Sequence, residues 1–253
     1  MKPGIIPAVL LAALIQAPQT MAQDENPTSF TYATYFYCDT STQDQADELV
    51  KKNSAPYFDA AVADGTITGW GWMGHHTGGE WRRIQYHQSD SLAGLLKAQE
   101  TINARIDKAM NGQDDGFNAI CSGHDDYIWQ LEAGGSAKTR GKAGLSTYHV
   151  CDLNREERAD EIIKTVFAPV LDKAVADGKL TSWGWQSHVV GGKYRRLGTM
   201  TAGDHISLLQ AWGDVLNSVY GDGDNAAANE FSEICYSHSD YLWNILHETS
   251  SAD

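Results

Sequence analysis

Two short motifs carry the residue types of acid–base chemistry. His124-x-Asp126 and His238-x-Asp240 each set an imidazole and a carboxylate two residues apart. On a β-strand that spacing puts both on one face, where the carboxylate orients the ring and raises its basicity. A general base or a metal ligand requires such an arrangement. An ordinary strand-end hydrogen-bond pair uses the same spacing, so the motif leaves both readings open. Arg83 and Arg196 are the second kind of candidate. Set among Trp70, Trp72, Trp183 and Trp185, a guanidinium could pair a carboxylate, enolate or phosphate in an aromatic substrate pocket. The competing reading makes these Trp residues packing between sheets and gives each Arg an acidic neighbour.

Other machinery is absent from the sequence. It holds no P-loop, no dinucleotide fingerprint after a strand and no Gly-x-Ser-x-Gly elbow. With no Cys-x-x-Cys or His-Glu-x-x-His, no metal site is expected. His75-His76 would point to opposite strand faces, and His188 is followed by Val189, so the doublet is not repeated. A haem enzyme would need an axial ligand; His75, His124, His188 and His238 are available, and no spacing marks one of them. Gly-Asp-Gly-Asp from Gly221 resembles a calcium loop only in composition and reads as a helix-ending turn.

The first residues, MKPGIIPAVLLAALIQAPQTMAQ, carry an early Lys, an apolar run too short to span a bilayer, and a small-residue cleavage site. Residues 1–22 are therefore expected to be a removed signal peptide, which makes the protein periplasmic or secreted. A net charge of −14 works against binding nucleic acid or anionic lipid. With 8 Trp and 11 Tyr the chain is not a disordered acidic one. Four Cys in an exported protein point to disulfides rather than buried free thiols.

The elements that must position these residues come in duplicate. Gly69–Arg83 (GWGWMGHHTGGEWRR) returns as Ser182–Arg196 (SWGWQSHVVGGKYRR), and the same offset relates Cys38-Asp39 to Cys151-Asp152 and Ala61–Gly65 to Ala174–Gly178. After one inserted residue, Cys121, His124, Asp126, Tyr127 and Trp129 match Cys235, His238, Asp240, Tyr241 and Trp243. Each copy reads as strand (Phe30–Cys38), a helix divided at Pro56 or Pro169, a Trp hairpin of two strands, a helix from about Leu92 to Met110, and a last strand over Phe117–Trp129. Strand–helix–strand–strand–helix–strand is the ferredoxin-like pattern, α+β in class. It sets the end of the first strand beside the start of the fourth, so the bridges expected are Cys38–Cys121 and Cys151–Cys235. The boundaries expected are 24–132 and 145–247 for the two repeats, a flexible linker at 133–144 (AGGSAKTRGKAG) and a tail at 248–253. If Gly78-Gly79 closes a two-residue loop, Gly74 faces Arg83 and His75 faces Arg82. Met73, Ile84 and Tyr86 then share one face, and Trp70, Trp72, Trp81, Arg83, Gln85 and His87 the other. Arg82 and Arg195 read as solvated hairpin charges.

Element order, duplication and the aromatic-Gly hairpin make the chain resemble the dimeric α/β-barrel superfamily, which includes the NIPSNAP, EthD-like and antibiotic-biosynthesis-monooxygenase-like families. The resemblance implies two tandem βαββαβ repeats packed sheet to sheet as an internal pseudo-dimer, with a pocket between each sheet and its surroundings. It implies a small-molecule ligand. If the protein is an enzyme, it implies cofactor-independent oxygenase or isomerase chemistry on a hydrophobic or aromatic anionic compound. His124/Asp126 and His238/Asp240 would then supply the base and Arg83/Arg196 would hold the oxyanion. The alternatives are a non-catalytic envelope or interaction protein, and a haem or transition-metal binder using the repeated His residues. Neither nucleic acid nor a membrane span is expected, and self-association into a homo-oligomer is left open.

Overall fold

The structure is a computed structural model that describes residues 29–221 and 223–251. The signal segment expected at 1–22 lies outside the described residues. The first half runs β1 (Phe30–Cys38), α1 (Gln43–Asn53), α2 (Ala55–Ala63), β2 (Gly69–Gly78), β3 (Arg83–Ser89), α3 (Leu92–Met110), α4 (Phe117–Ile120) and β4 (Cys121–Ser136). The second runs β5 (Ala143–Val150), α5 (Glu156–Ile162), a π-helical turn (Ile163–Phe167), α6 (Ala168–Ala176), β6 (Ser182–Val190), β7 (Arg196–Ala202), α7 (His205–Tyr220), α8 (Ala226–Ile234) and β8 (Ser237–Ser250). Pro56 and Pro169 each sit in the first turn of α2 and α6, where a missing N–H costs nothing. The helix before each ends there, by a break in one half and through the π turn in the other.

Around the barrel the strand order is β1-β3-β2-β8-β5-β7-β6-β4, and the sheet closes on itself. Each half is a ferredoxin-like sheet, and the two sheets face one another across an aromatic interior. They are also joined along both edges, β2 to β8 and β4 to β6, which leaves no unpaired strand edge among the described residues. β4 is long enough to pair with β1 over its first part and with β6 over its last, so Ala133–Ser136 is strand and not linker. The glycines there serve close packing: a Cβ on Gly134 would lie 2.9 Å from the Trp183 carbonyl oxygen. β5 begins at Ala143, which leaves residues 137–142 to connect the halves, and β8 continues into the expected tail as far as Ser250. Phe117–Ile120, expected as strand, is the short helix α4: Gly116 takes φ 84°, and Asp115 accepts from the Phe117 amide. The strand starts at Cys121, paired with Cys38, and disulfides join Cys38–Cys121 and Cys151–Cys235.

Hairpin pairing puts Gly74 opposite Arg83, with Met73 opposite Ile84. Met73, Ile84 and Tyr86 face the lumen, and Trp70 and Trp72 pack beneath the helices with Phe58, Val62, Ala98 and Ile102. Trp81 departs from the expected register. It precedes β3, falls out of the alternation, and turns into the lumen, stacked on Tyr35 at 4.3 Å and on Tyr241 at 5.2 Å. Tyr194 repeats this in the second half. These rings plug the hairpin end of the barrel.

A cavity built into the second half

Alternate residues of β5, β6 and β7 point outward under the second half's helices: Thr147 and His149, Trp183 and Trp185, Gly198 and Met200. The π turn and α6 add Ile163, Phe167 and Leu171; α7 adds Trp212, Leu216 and Tyr220; α8 adds Phe231. Between these walls lies a largely apolar cavity of about 440 Å³, within the range of small-molecule sites. Tyr236, His238 and Asp240, at the start of β8, line it too.

The duplication explains why the space is there. By the repeat, Gly198 corresponds to Gln85 and His149 to Phe36, while Trp212, Leu216 and Tyr220 correspond to Gln99, Asn103 and Asp107. Gln85 carries a side chain, with Nε2 buried, where Gly198 has none; a Cβ on Gly198 would lie 2.5 Å from Thr147 Oγ1, so that hydroxyl would have to turn to admit one. Phe36 packs on Trp72 and Phe117, at 5.7 and 5.3 Å between centroids. α3 faces the sheet with Leu95, Ala98 and Ile102. Of the three polar residues, Gln99 is half-buried while Asn103 and Asp107 are exposed. At those positions α7 carries the larger apolar Trp212, Leu216 and Tyr220, each half-buried on the cavity. The second half is hollowed here and lined with apolar side chains.

The His–Asp pairs sit on the strand starts as their spacing demands. His238 Nδ1 lies 2.7 Å from Asp240 Oδ1, and His124 Nδ1 lies 3.2 Å from Asp126 Oδ2. Both dyads are about half exposed. Their neighbours differ. Opposite His124 on β1 is Phe36, whereas opposite His238 on β5 is His149, with 5.5 Å between the rings. His149 is buried, its Nε2 3.1 Å from Thr147 Oγ1 and its Nδ1 without a partner among the described residues. Burial, with a smaller contribution from His238, lowers its pKa to about 3, so the imidazole is neutral at physiological pH.

Arg83 and Arg196 lie elsewhere. Arg83 donates from Nε and from a terminal nitrogen to the two oxygens of Asp47, each at 2.6 Å, and Trp72 Nε1 donates to the same carboxylate at 2.8 Å. Arg196 repeats this with Asp160, at 2.7 Å for both contacts and for the Trp185 indole, and adds Glu156 at 3.2 Å. Although burial of Arg196 opposes it, Asp160 and Glu156 hold its pKa above the usual value. Each guanidinium thus pins the first helix of its half to the hairpin. Arg196 borders a separate open groove of about 910 Å³ whose walls include Glu132, Glu156, Asp160 and Glu161, a setting that repels anions. Trp183 donates to Asp172 and Trp70 to Asp59, each at 2.8 Å. Of the expected site residues, Trp183, Trp185, His238 and Asp240 therefore meet at one cavity. Trp70 and Trp72 belong to the first-half core, and His124 and Asp126 stand at its outer end.

Arg82 and Arg195 are not free hairpin charges. Arg82 hydrogen-bonds His75 Nδ1; Arg195 reaches His188 Nδ1 at 2.7 Å and Glu156 at 2.7 Å. Burial, then the adjacent guanidinium, holds the His188 pKa down. In this arrangement Nδ1 of His75 and of His188 is already engaged. Among the described residues no group of three or more His, Cys, Asp or Glu could hold a metal ion. No helix among them is long and apolar enough to cross a membrane.

Sequence reading passed over His149, Gly198 and the α7 wall. The signal was in the comparison of the copies, at positions where they differ rather than where they agree.

The sequence matches no protein-family model and no curated protein. Solved structures do match. A proposed monooxygenase from Lactobacillus acidophilus aligns over 88% of this chain and 97% of its own, at TM-score 0.60 and 10% identity. One from Fusobacterium nucleatum gives TM-score 0.60 at 6% identity over 89% and 95% of the two chains. An anthrone oxidase-like protein gives 0.54 at 10% identity over 90% and 95%. At these identities the likeness establishes the fold. The chain has the fold of these structures: a closed eight-stranded barrel formed by two ferredoxin-like repeats on one polypeptide.

Proposed function

We propose that this is an exported small-molecule-binding α/β-barrel protein whose site is the cavity of the second half. The observation that carries the reading is the asymmetry of the duplication: an apolar cavity with the His238–Asp240 dyad on its wall, where the first half has Gln85 and Phe36, and Gln99 in place of Trp212. Among the described residues, no Lys or Arg lines the cavity. This favours a flat hydrophobic or aromatic compound that enters neutral and becomes anionic only on losing a proton.

His238 supplies the base. Asp240 occupies Nδ1 and leaves Nε2 to take a proton from an acidic C–H or O–H of the bound compound. The imidazolium so formed stays beside the new anion and balances its charge, with Asp240 holding the ring in place. Returning the proton at another carbon makes the reaction an isomerisation; reaction of the carbanion with dioxygen makes it an oxygenation. Arg83 and Arg196 keep a structural role in this reading, and the two disulfides fit an oxidising compartment.

A thermal-shift panel of naphthols, anthrones and aromatic ketones tests it. Wild type should be stabilised by at least one of them and Gly198→Gln by none, while His238→Ala should bind and fail to deprotonate. Equal shifts in wild type and Gly198→Gln would remove the site. A second reading, haem held in the same cavity, is favoured by the partnerless Nδ1 of His149, since a neutral imidazole is the form that ligates iron. Titration with haemin should then give a Soret shift in wild type that His149→Phe lacks.

A further inference from the structure

The barrel lumen holds a second cavity, of about 480 Å³, on the far side of β6 and β7 from the first and open at the end opposite the aromatic plug. In small eight-stranded barrels the lumen is either filled by side chains or wide enough for one small ligand. Here three lumen-facing differences between the copies remove bulk or add polarity in the second half. Ser146 stands where the first half has Ala33, Gln186 where it has Met73, and Thr199 where it has Tyr86. Gln186 is 8% exposed, on the cavity wall, and its Oε1 has no hydrogen-bond partner among the described residues. A buried amide oxygen left unpaired costs stability, which a donor entering the lumen would recover.

The rest of the lining defines what fits. Hydroxyl groups each donate once and accept twice, a capacity matched by another hydroxyl-bearing molecule. Tyr35 and Tyr148 close the inner end with ring surface, against which C–H groups can pack. At the mouth Glu248 accepts from Tyr86 and lies 3.7 Å from Arg140, so the fixed charges offset each other and select neither an anion nor a cation. We infer that the lumen is a binding site for a neutral polyhydroxylated molecule of mono- or disaccharide size. It lies across β6 and β7 from the outer cavity, with which it shares Trp183, Gly184 and Thr199 as lining, and does not depend on that site's function.

Saturation-transfer NMR with glucose, N-acetylglucosamine, maltose and cellobiose, each at about 10 mM, well above the weakest affinity of interest, provides the test. Transfer to at least one sugar is expected. Gln186→Met and Thr199→Tyr, each copying the first half, should weaken it by about tenfold or more, equivalent to 1.4 kcal/mol. Gly184, like Gly71 beneath Tyr86, leaves room for the introduced ring. Gly198→Gln, which closes the outer cavity, should leave sugar binding intact. No transfer to any of the four sugars, a lumen holding water only, would overturn the inference. So would transfer unchanged in a folded Gln186→Met, and that variant decides the matter where Thr199→Tyr fails to fold.

Discussion

His149→Phe gives the second half the residue that the first half carries at Phe36, and it should change how the protein responds to acid. In the folded chain His149 is neutral, with a pKa of about 3 against 6.5 for a free imidazole. Between those values the unfolded state binds a proton that the folded state refuses, so stability rises with pH across this window. The contribution is complete above 6.5 and is lost as the pH falls toward 3. At pH 5 the unfolded imidazole has gained about 2 kcal/mol from protonation, and at pH 7 almost nothing. Wild type should therefore lose about 2 kcal/mol more than His149→Phe between pH 7 and pH 5, or about 4–8 °C in melting temperature for a chain of this size. His87, buried and lowered to about 4, titrates the same way in both proteins and cancels in the comparison. Urea unfolding at the two pH values, with disulfides intact, measures the difference directly. Parallel losses in the two proteins would mean that His149 is hydrated or protonated in the fold, and the neutral imidazole argued for the cavity wall would fall with it.

Asp160→Ala should destabilise by about 2–3 kcal/mol, because it leaves the buried Arg196 guanidinium only Glu156 and a carbonyl and takes the acceptor from the Trp185 indole; urea unfolding would show it. Asp44→Ala, which removes a fully exposed partner of Arg83, should change nothing measurable by the same assay. Reduction of the disulfides, which close separations of 83 and 84 residues, should lower stability by up to about 4–5 kcal/mol each on the chain-entropy model, read as a fall in melting temperature. Non-reducing peptide mapping should find Cys38 joined to Cys121 and Cys151 to Cys235; a peptide linking Cys38 to Cys151 would contradict the strand order.

The fold was legible because its signals are local and doubled. Alternating strands, a hairpin with Gly-Gly, and Cys at matching ends of strands one and four need no distant information. What escaped were features decided by where chains cross. The Gly134-Gly135 pair has the composition of a linker, and only the approach of β6 shows that it must be bare backbone in a strand. Trp81 obeys the hairpin's parity on paper. One unpaired residue before β3 is enough to turn it into the lumen, and parity errors of this kind move a whole side chain to the other face. The Arg–Trp–Asp clusters were half visible, since an acidic neighbour was the stated alternative to a ligand, but the particular carboxylate lay on a helix 36 residues away.

The duplication also changes what a recurring motif can mean. Trp72, Arg83 and Asp47 recur as Trp185, Arg196 and Asp160 with nearly the same distances, and in both halves they tie a helix to a hairpin. A feature kept in both halves is explained by what both halves must do, which is fold. The first half has Gln85, Phe36, Met73 and Tyr86 where the second has Gly198, His149, Gln186 and Thr199. Each of these differences either removes volume or introduces a polar group in a buried layer, and both cost stability unless something occupies the space. They fall on two faces of the same strands, around the outer cavity and the lumen, rather than scattering over the sheet. Copying the first half's residues into the second should accordingly make the protein more stable when no ligand is present. A Gly198→Gln, Gln186→Met double variant that melted below wild type would show instead that the second half is fully packed in its own way, and that its cavities are not sites.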